Sequence, residues 1–154
     1  MDPFHIVRLA GDALDQCRRR VQLAIHGHRG FKDDPLHKSR RTLHTGSGLL
    51  TDRHIDRLNQ LFADETHVEV EATWGIYQRM ITAYRTEDRA DGRELMVKLI
   101  ADISAGVPKA LVEVAKLGRT LKKRAADVAG LLRPPGHQQR ADRGHQRPAR
   151  TPPR

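Results

Sequence analysis

The sequence lacks the features of secreted and membrane-spanning proteins. Its single cysteine, Cys17, permits no internal disulfide. No segment approaches the roughly 20 consecutive apolar residues of a membrane helix, and the N-terminus lacks the basic and then apolar pattern of a secretory signal. These absences predict a cytoplasmic protein without a membrane partner.

Large apolar side chains are also scarce. Aromatic residues make up 4% of the 154 residues, whereas charged residues make up 31%. The length allows one domain, but its core must be built mainly from aliphatic side chains, so we expect it to be thin.

Apolar residues recur at the three-to-four spacing of amphipathic helices along most of the chain. The alternation at residues 67–70 is too short to outweigh the helical pattern around it. We therefore predict a mainly α protein. The predicted helices cover residues 4–25, a short basic segment at 36–43, a helix capped by Thr51, the stripes at 70–84 and 95–103, and a last helix at 111–128.

Residues 129–154 differ in composition from the rest of the chain. They contain six arginines, five prolines and three glycines, and no apolar residue larger than alanine follows Leu132. Such a segment cannot bury enough surface to offset the entropy of ordering it, so we predict a disordered tail. Six arginines against the single Asp142 give the tail +5 of the formal charge of +9. The predicted division is therefore 1–128 and 129–154.

Two groups of arginines could contact nucleic-acid phosphates. Arg18, Arg19 and Arg20 lie together on the first predicted helix, and Arg40 and Arg41 lie on the short basic one. A DNA partner would make their binding strongly salt-dependent. The alternative is ordinary helix solubility, because no aromatic residues interleave with these arginines as they do in single-strand binding platforms.

Three other side chains with possible chemistry lie on or near the first helix. His26 and His28 could be metal ligands, but residues two apart on a helix point to different sides, so we expect a solvated helix end. Cys17 lies on the apolar stripe without a nearby histidine, which predicts a packed core thiol rather than a nucleophile.

The acidic candidates also have structural interpretations. Asp64, Glu69 and Glu71 could form an acid/base pair, but charge runs of this kind are usually solvated faces. Asp2 precedes Pro3 at the start of the first helix, and on physical grounds alone it is a helix N-cap.

Two segments at the start of the chain carry a family resemblance. They are Met-Asp-Pro-Phe-His-Ile-Val at residues 1–7 and Leu-Ala-Gly-Asp-Ala-Leu-Asp-Gln-Cys-Arg-Arg-Arg at residues 9–20. Further matching positions are residues 38–43 and 49–51, Trp74, Tyr77 and residues 122–128. With these segments the chain resembles the DDE-type insertion-sequence transposases of the ISL-three family, over essentially all of residues 1–128.

The resemblance implies that residues 1–128 are the helical part of an RNase H-like catalytic domain. In such transposases a central sheet carries two catalytic aspartates and a later helix carries a glutamate. The three carboxylates hold two Mg²⁺ ions for cleavage and joining of DNA at the element ends. The resemblance places the second aspartate at Asp2, as a catalytic residue and metal ligand. It places the first aspartate upstream of Met1 and the glutamate after the last helix.

The tail stands where the family's glutamate is expected. Arginine outnumbers lysine 21 to 7, which indicates GC-rich coding DNA. Written in GC-rich codons and read one base out of step, the tail can give Leu-Ala-Tyr-Phe-Asp-Arg-Pro-Gly-Thr-Ser-Asn-Gly-Pro-Thr-Glu-Ala-Ile-Asn-Gly, which resembles the family's pattern. We therefore expect a frameshift just after Val128, with the glutamate codon spanning Arg143 and Gly144. The expected product is a truncated, inactive remnant that binds no Mg²⁺.

Two other functions remain open from the sequence. One is a self-standing basic helical DNA-binding protein that uses the arginines and the tail. The other is a helical protein-interaction module that uses the stripe of Trp74 and Tyr77. In a fragment without its sheet, we also expect apolar stripes, including that of the first helix, to face water and promote self-association.

The nucleotide sequence of the gene tests the frameshift. Read in the other frame from codon 129 onward, it should encode the glutamate-containing segment given above. A stop codon or an unrelated peptide in that frame would refute the frameshift.

Overall fold

In a computed structural model, the chain is described over residues 3–28 and 30–124, and this part is mainly helical, with no strand. Its α-helices are α1 (Pro3–His26), α2 (Pro35–Lys38), α3 (Arg40–Leu43), α4 (Asp52–Phe62), α5 (Val68–Arg85), α6 (Arg89–Ala105) and α7 (Val112–Lys123). Short 3-10 turns at Ser47–Leu49 and Glu65–His67 precede α4 and α5. The predicted tail lies outside the described residues. None of the described helices could span a membrane.

The four long helices α1, α5, α6 and α7 pack in a closed ring. α1 contacts α5 and α7, and α6 contacts the same two helices. In such an arrangement each amphipathic helix turns its apolar stripe toward a shared core. Fully buried side chains at the centre of the ring include Ile6, Leu14, Val70, Met80, Met96, Leu99, Val114 and Leu121.

The apolar stripe of α1 is buried, so the expectation that it faces water is wrong. Its core residues between Ile6 and Val21 are at most 7% exposed, because α5 and α7 cover them. The helices therefore build a core among themselves. Large apolar side chains that do remain exposed are spread over several elements, as on most protein surfaces, and include Phe31, Leu49, Val68, Leu95 and Val112.

Several helix ends follow signals in the sequence. The Thr51 hydroxyl accepts a hydrogen bond from the His54 amide, and His54 Nδ1 accepts one from the Thr51 amide, both at 3.3 Å. This reciprocal capping box confirms Thr51 as the start of α4. The predicted basic helix is interrupted at Ser39, which separates α2 from α3.

Helix α6 packs closely against the end of α5 because residue 92 is a glycine. A Cβ atom at Gly92 would lie 2.8 Å from the Ala83 carbonyl oxygen, which belongs to the backbone and cannot rotate away. A Cβ atom at Gly75, on α5, would have no heavy atom of another part of the chain within 4 Å. The two glycines therefore form a matched pair for measuring helix contact.

We expect Gly92→Ala to lower the free energy of unfolding by about 1 to 3 kcal/mol, because the added methyl group forces α5 and α6 apart. Gly75→Ala should raise it by about 0.5 to 1 kcal/mol, because alanine loses less backbone entropy in a helix. Urea unfolding measures both changes. Equal effects of the two substitutions would contradict the close approach at Gly92.

Candidate nucleic-acid interface and catalytic end

The first predicted phosphate ligand, Arg18, is a buried side chain of α1. It is 5% exposed. Its Nε and Nη2 atoms donate to Asp15 Oδ1 at 3.2 and 2.8 Å, and Nη1 donates to Gln22 Oε1 at 3.1 Å. All of these partners lie on α1 itself, so the guanidinium is held along the helix rather than directed to solvent.

Arg20 connects α1 to two other helices. Its Nε and Nη2 atoms donate to the two carboxylate oxygens of Glu113, at 2.7 and 3.0 Å. Nη2 also donates to the Ala110 carbonyl at 3.1 Å and lies 2.7 Å from Glu69 Oε2. This planar guanidinium, which can serve several acceptors at once, thereby holds α5 and α7 against α1.

The pKa values of two side chains near Arg20, Glu113 and Cys17, differ from their ordinary values. Burial alone would raise the pKa of Glu113, but the hydrogen bond and charge of Arg20 outweigh burial and hold that pKa below its ordinary value. Burial raises the pKa of the Cys17 thiol, and the hydrogen bond from Thr73 only partly opposes this effect. Cys17 is thus a buried thiol, as predicted, and its environment does not favour a reactive thiolate.

The exposed members of the predicted interface are Arg19, Arg40 and Arg41. The Arg19 side chain is 71% exposed and pairs with Asp15 Oδ2 at 2.8 Å. Arg40 Nη1 donates to the His37 carbonyl at 3.1 Å, and Arg41 is exposed on α3. The two groups lie on different helices, Arg19 on α1 and Arg40 and Arg41 on α3.

Three carboxylates compensate the arginine triplet of α1. Asp15 pairs with Arg18 and Arg19, while Glu69 and Glu113 pair with Arg20. An anion would meet little uncompensated charge there. Phosphate binding by these residues stays a prediction. The exposed arginines Arg19, Arg40 and Arg41 are better placed for it than Arg18 and Arg20.

The pairing of Glu69 was not expected from the sequence. Glu69 was interpreted as part of a solvated face with Glu71 and Asp64, but its side chain is 27% exposed and bound to Arg20. Glu71 is exposed, and Asp64 caps the turn before α5 by accepting from the Thr66 amide at 2.9 Å. The solvated-face interpretation is therefore wrong for Glu69.

The stripe of Trp74 and Tyr77 faces inward rather than toward a partner. Tyr77 is 8% exposed, and its hydroxyl donates to the His44 carbonyl at 3.2 Å. The half-buried Trp74 ring packs on Phe62 with ring centroids 5.3 Å apart. This placement leaves Tyr77 with little surface for contact with another molecule.

The predicted catalytic residue Asp2 lies outside the described residues, directly before the first residue of α1. Helix α7 runs antiparallel to α1. The start of α7 is fixed by the pair of Arg20 with Glu113, and the cleft between the helices is lined by Leu9 and Asp12 on α1 and by Lys116 and Thr120 on α7. The chain thus leaves α7 toward the end of the bundle at which α1 begins.

We expect Arg20→Leu to lower the free energy of unfolding by about 2 to 4 kcal/mol, because it leaves the 9%-exposed Glu113 carboxylate without its partner. Arg79→Leu is the matched control. It removes an ion pair with Asp102 in which the two charged atoms are 2.8 Å apart. Because both side chains are about half exposed, the loss of this pair should lower the free energy of unfolding by only about 0 to 1 kcal/mol. Equal losses in urea unfolding would contradict the internal role of Arg20.

The substitution Arg20→Leu should also change how the free energy of unfolding depends on pH. Because the folded-state pKa of Glu113 is lowered, its stabilisation is present above the ordinary value of 4.5 and is lost as the pH falls through the folded-state pKa. In Arg20→Leu, burial without the partner should raise the pKa of Glu113, so protonation then favours folding. The stability difference between the native chain and this variant should therefore shrink between about pH 7 and about pH 3. A constant difference would contradict this assignment.

One comparison with known proteins identifies the chain. A family model for DDE-type transposases of the ISL-three family, described as transposase, matches residues 1–135. No curated protein and no solved structure gave a match to the chain. Because the family match covers most of the 154 residues, the chain belongs to the ISL-three family of DDE-type transposases.

Proposed function

We propose that this transposase chain contributes the helical part of an RNase H-like catalytic domain, with Asp2 as a catalytic carboxylate for DNA transposition in the cytoplasm. The observation that carries the proposal is the antiparallel course of α1 and α7. Helix α7 ends on the side of the bundle at which α1 begins, and α1 follows Asp2 directly in the sequence. A glutamate placed after α7 could then meet Asp2 at one site.

The distances along the helices support this arrangement. From the level of the Arg20–Glu113 pair, the ten residues to Lys123 advance about 15 Å, which is level with Ala10 on α1. The start of α1 at Pro3 lies seven residues before Ala10, about 10 Å farther along the helix. An extended chain of a few residues covers such a distance.

Asp2 suits a Mg²⁺ ion by the chemistry of its donor atoms, because Mg²⁺ prefers carboxylate oxygens. The metal ions of this family supply the activation of the attacking oxygen and the stabilisation of the leaving one. The described residues contribute the frame: α1 begins immediately after Asp2, and its burial between α5 and α7 fixes the direction of that end.

We further propose that residues 129–154 are out of frame, so that residues 1–128 are the family-like part. The family match extends seven residues past Val128 and then stops, so residues 136–154 lie outside it. No glutamate occurs between residues 114 and 154. Without that glutamate, the set of three carboxylates that holds two metal ions in this family is incomplete. In this proposal the chain in this form is therefore inactive in strand cleavage and binds no Mg²⁺.

Contacts with the DNA backbone fall to the exposed Arg19, Arg40 and Arg41 in this proposal. Arg18 and Arg20 already have internal partners, so their replacement would alter folding rather than phosphate binding. A self-standing DNA-binding function gains no support from the triplet, because three carboxylates accompany it.

Restoring the expected reading frame tests the role of Asp2. We expect a chain whose residues 129–154 are replaced by the offset-frame peptide to bind Mn²⁺, a spectroscopic substitute for Mg²⁺, and to lose that binding on Asp2→Asn. Electron paramagnetic resonance measures the free Mn²⁺. Asp12→Asn, at an exposed carboxylate of the same helix, is the matched control. Binding that survives Asp2→Asn, or that is equally strong with the original tail, would contradict the proposal.

A further inference from the structure

The far end of α1 brings two histidine rings together. The helix ends at His26, and the next residue, Gly27, has a φ of 72° and donates its amide to the Leu23 carbonyl at 2.8 Å. A left-handed glycine at this position ends the helix and turns the chain. The expectation that His26 and His28 diverge on one helix is therefore wrong. Their rings stack at 5.6 Å between centroids, with 21° between planes.

The turn also brings a carboxylate to these rings. Asp34 directly precedes α2, but its side chain does not cap that helix. Instead, Oδ2 accepts from the Phe31 amide at 2.6 Å and from Gln22 Nε2 at 3.4 Å, which holds the carboxylate over the end of α1. The Phe31 ring lies 3.9 Å from the His28 ring and restricts its position.

One atom of His28 is left without a partner in this arrangement. Nδ1 is buried from solvent, forms no hydrogen bond, and lies 3.8 Å from Asp34 Oδ2, which is too far for one. A buried polar atom without a partner is destabilising. A bound ligand that contacts this nitrogen would remove that cost.

We propose that His26, His28 and Asp34 bind a divalent transition-metal ion, with Zn²⁺ as the best fit. One ligand atom from each residue lies within 4.8 Å of the other two. Atoms at the usual Zn–N and Zn–O distances of about 2.0 to 2.2 Å lie roughly 3.3 to 3.5 Å apart in a tetrahedral shell, so closure needs about 1 Å of side-chain movement. Two imidazoles and one carboxylate suit Zn²⁺, and water fills the remaining position.

This site is separate from the catalytic metal ions of the family in both chemistry and place. Imidazole nitrogens do not favour Mg²⁺. The 24 residues of α1 span about 36 Å, and His26 stands at the opposite end of the helix from Asp2. A metal ion here joins the end of α1 to the start of α2, and because it binds the folded turn, it stabilises that turn.

Titration calorimetry with Zn²⁺ on the purified full chain tests the proposal. We expect one Zn²⁺ per chain, with affinity lowered at least about tenfold by His28→Gln, His26→Gln or Asp34→Asn, since each removes a ligand. His5→Gln makes the same substitution at an exposed site on the first turn of α1 and should leave the affinity unchanged. Binding should weaken in acid, because protons compete for the imidazoles.

Thermal unfolding without and with Zn²⁺ separates loss of the site from loss of the fold. The ligand variants should still unfold cooperatively without metal. Zn²⁺ should raise the unfolding temperature of the native chain and of His5→Gln but not that of the ligand variants. Asp2→Asn should leave Zn²⁺ binding intact, so this test does not depend on the catalytic proposal. Zn²⁺ affinity that is unchanged in His26→Gln/His28→Gln would overturn the proposal, because other histidines among the nine would then be the ligands.

Discussion

The placement of three long helices depends on the ion pairs of Arg20. From the C-terminal third of α1, this side chain reaches Glu69 on α5 and both carboxylate oxygens of Glu113 at the start of α7. The apolar core around it is aliphatic and could accept more than one helix register. A charge with fixed partners restricts that choice, because any shift of α7 would leave Glu113 buried without its guanidinium.

Ion pairs within the chain also determine which arginines of α1 remain exposed. They engage Arg18 and Arg20 internally, so Arg19 is the member of the triplet whose side chain is mostly exposed. They also fix the start of α7 and thereby its antiparallel course. The catalytic role that we propose for Asp2 depends on this course, because the last described turn of α7 then lies on the side of the bundle at which α1 begins.

The sequence predicted those features that depend on neighbouring residues. Apolar spacing located the long helices, and Thr51 marked the start of α4, since these signals act within one or two turns. The pair of Arg20 with Glu113 joins residues 93 apart, and no local pattern reports such a contact. The approach of the two histidine rings could not be predicted from helical spacing, because Gly27 ends α1 after His26 and leaves His28 outside the helix.

Burial of the α1 stripe likewise could not be read from one helix alone. Its stripe was expected to need a sheet, but α5 and α7 supply enough apolar surface to cover it. Apolar periodicity predicts which residues share one face of a helix. Whether that face is buried depends on the other helices that pack against it.

The antiparallel course of α1 and α7 is the central claim, and a pair of spin-label distances tests it most directly. Labels on the exposed positions His5 and Lys122 are compared with labels on His5 and Val112, by substitution to cysteine, while the native Cys17 stays buried. Because ten helical residues span about 15 Å, the distance from 5 to 122 should be shorter than that from 5 to 112 by roughly 10 Å or more. Equal distances, or a longer distance to 122, would contradict the claim that α7 leads the chain back toward Asp2.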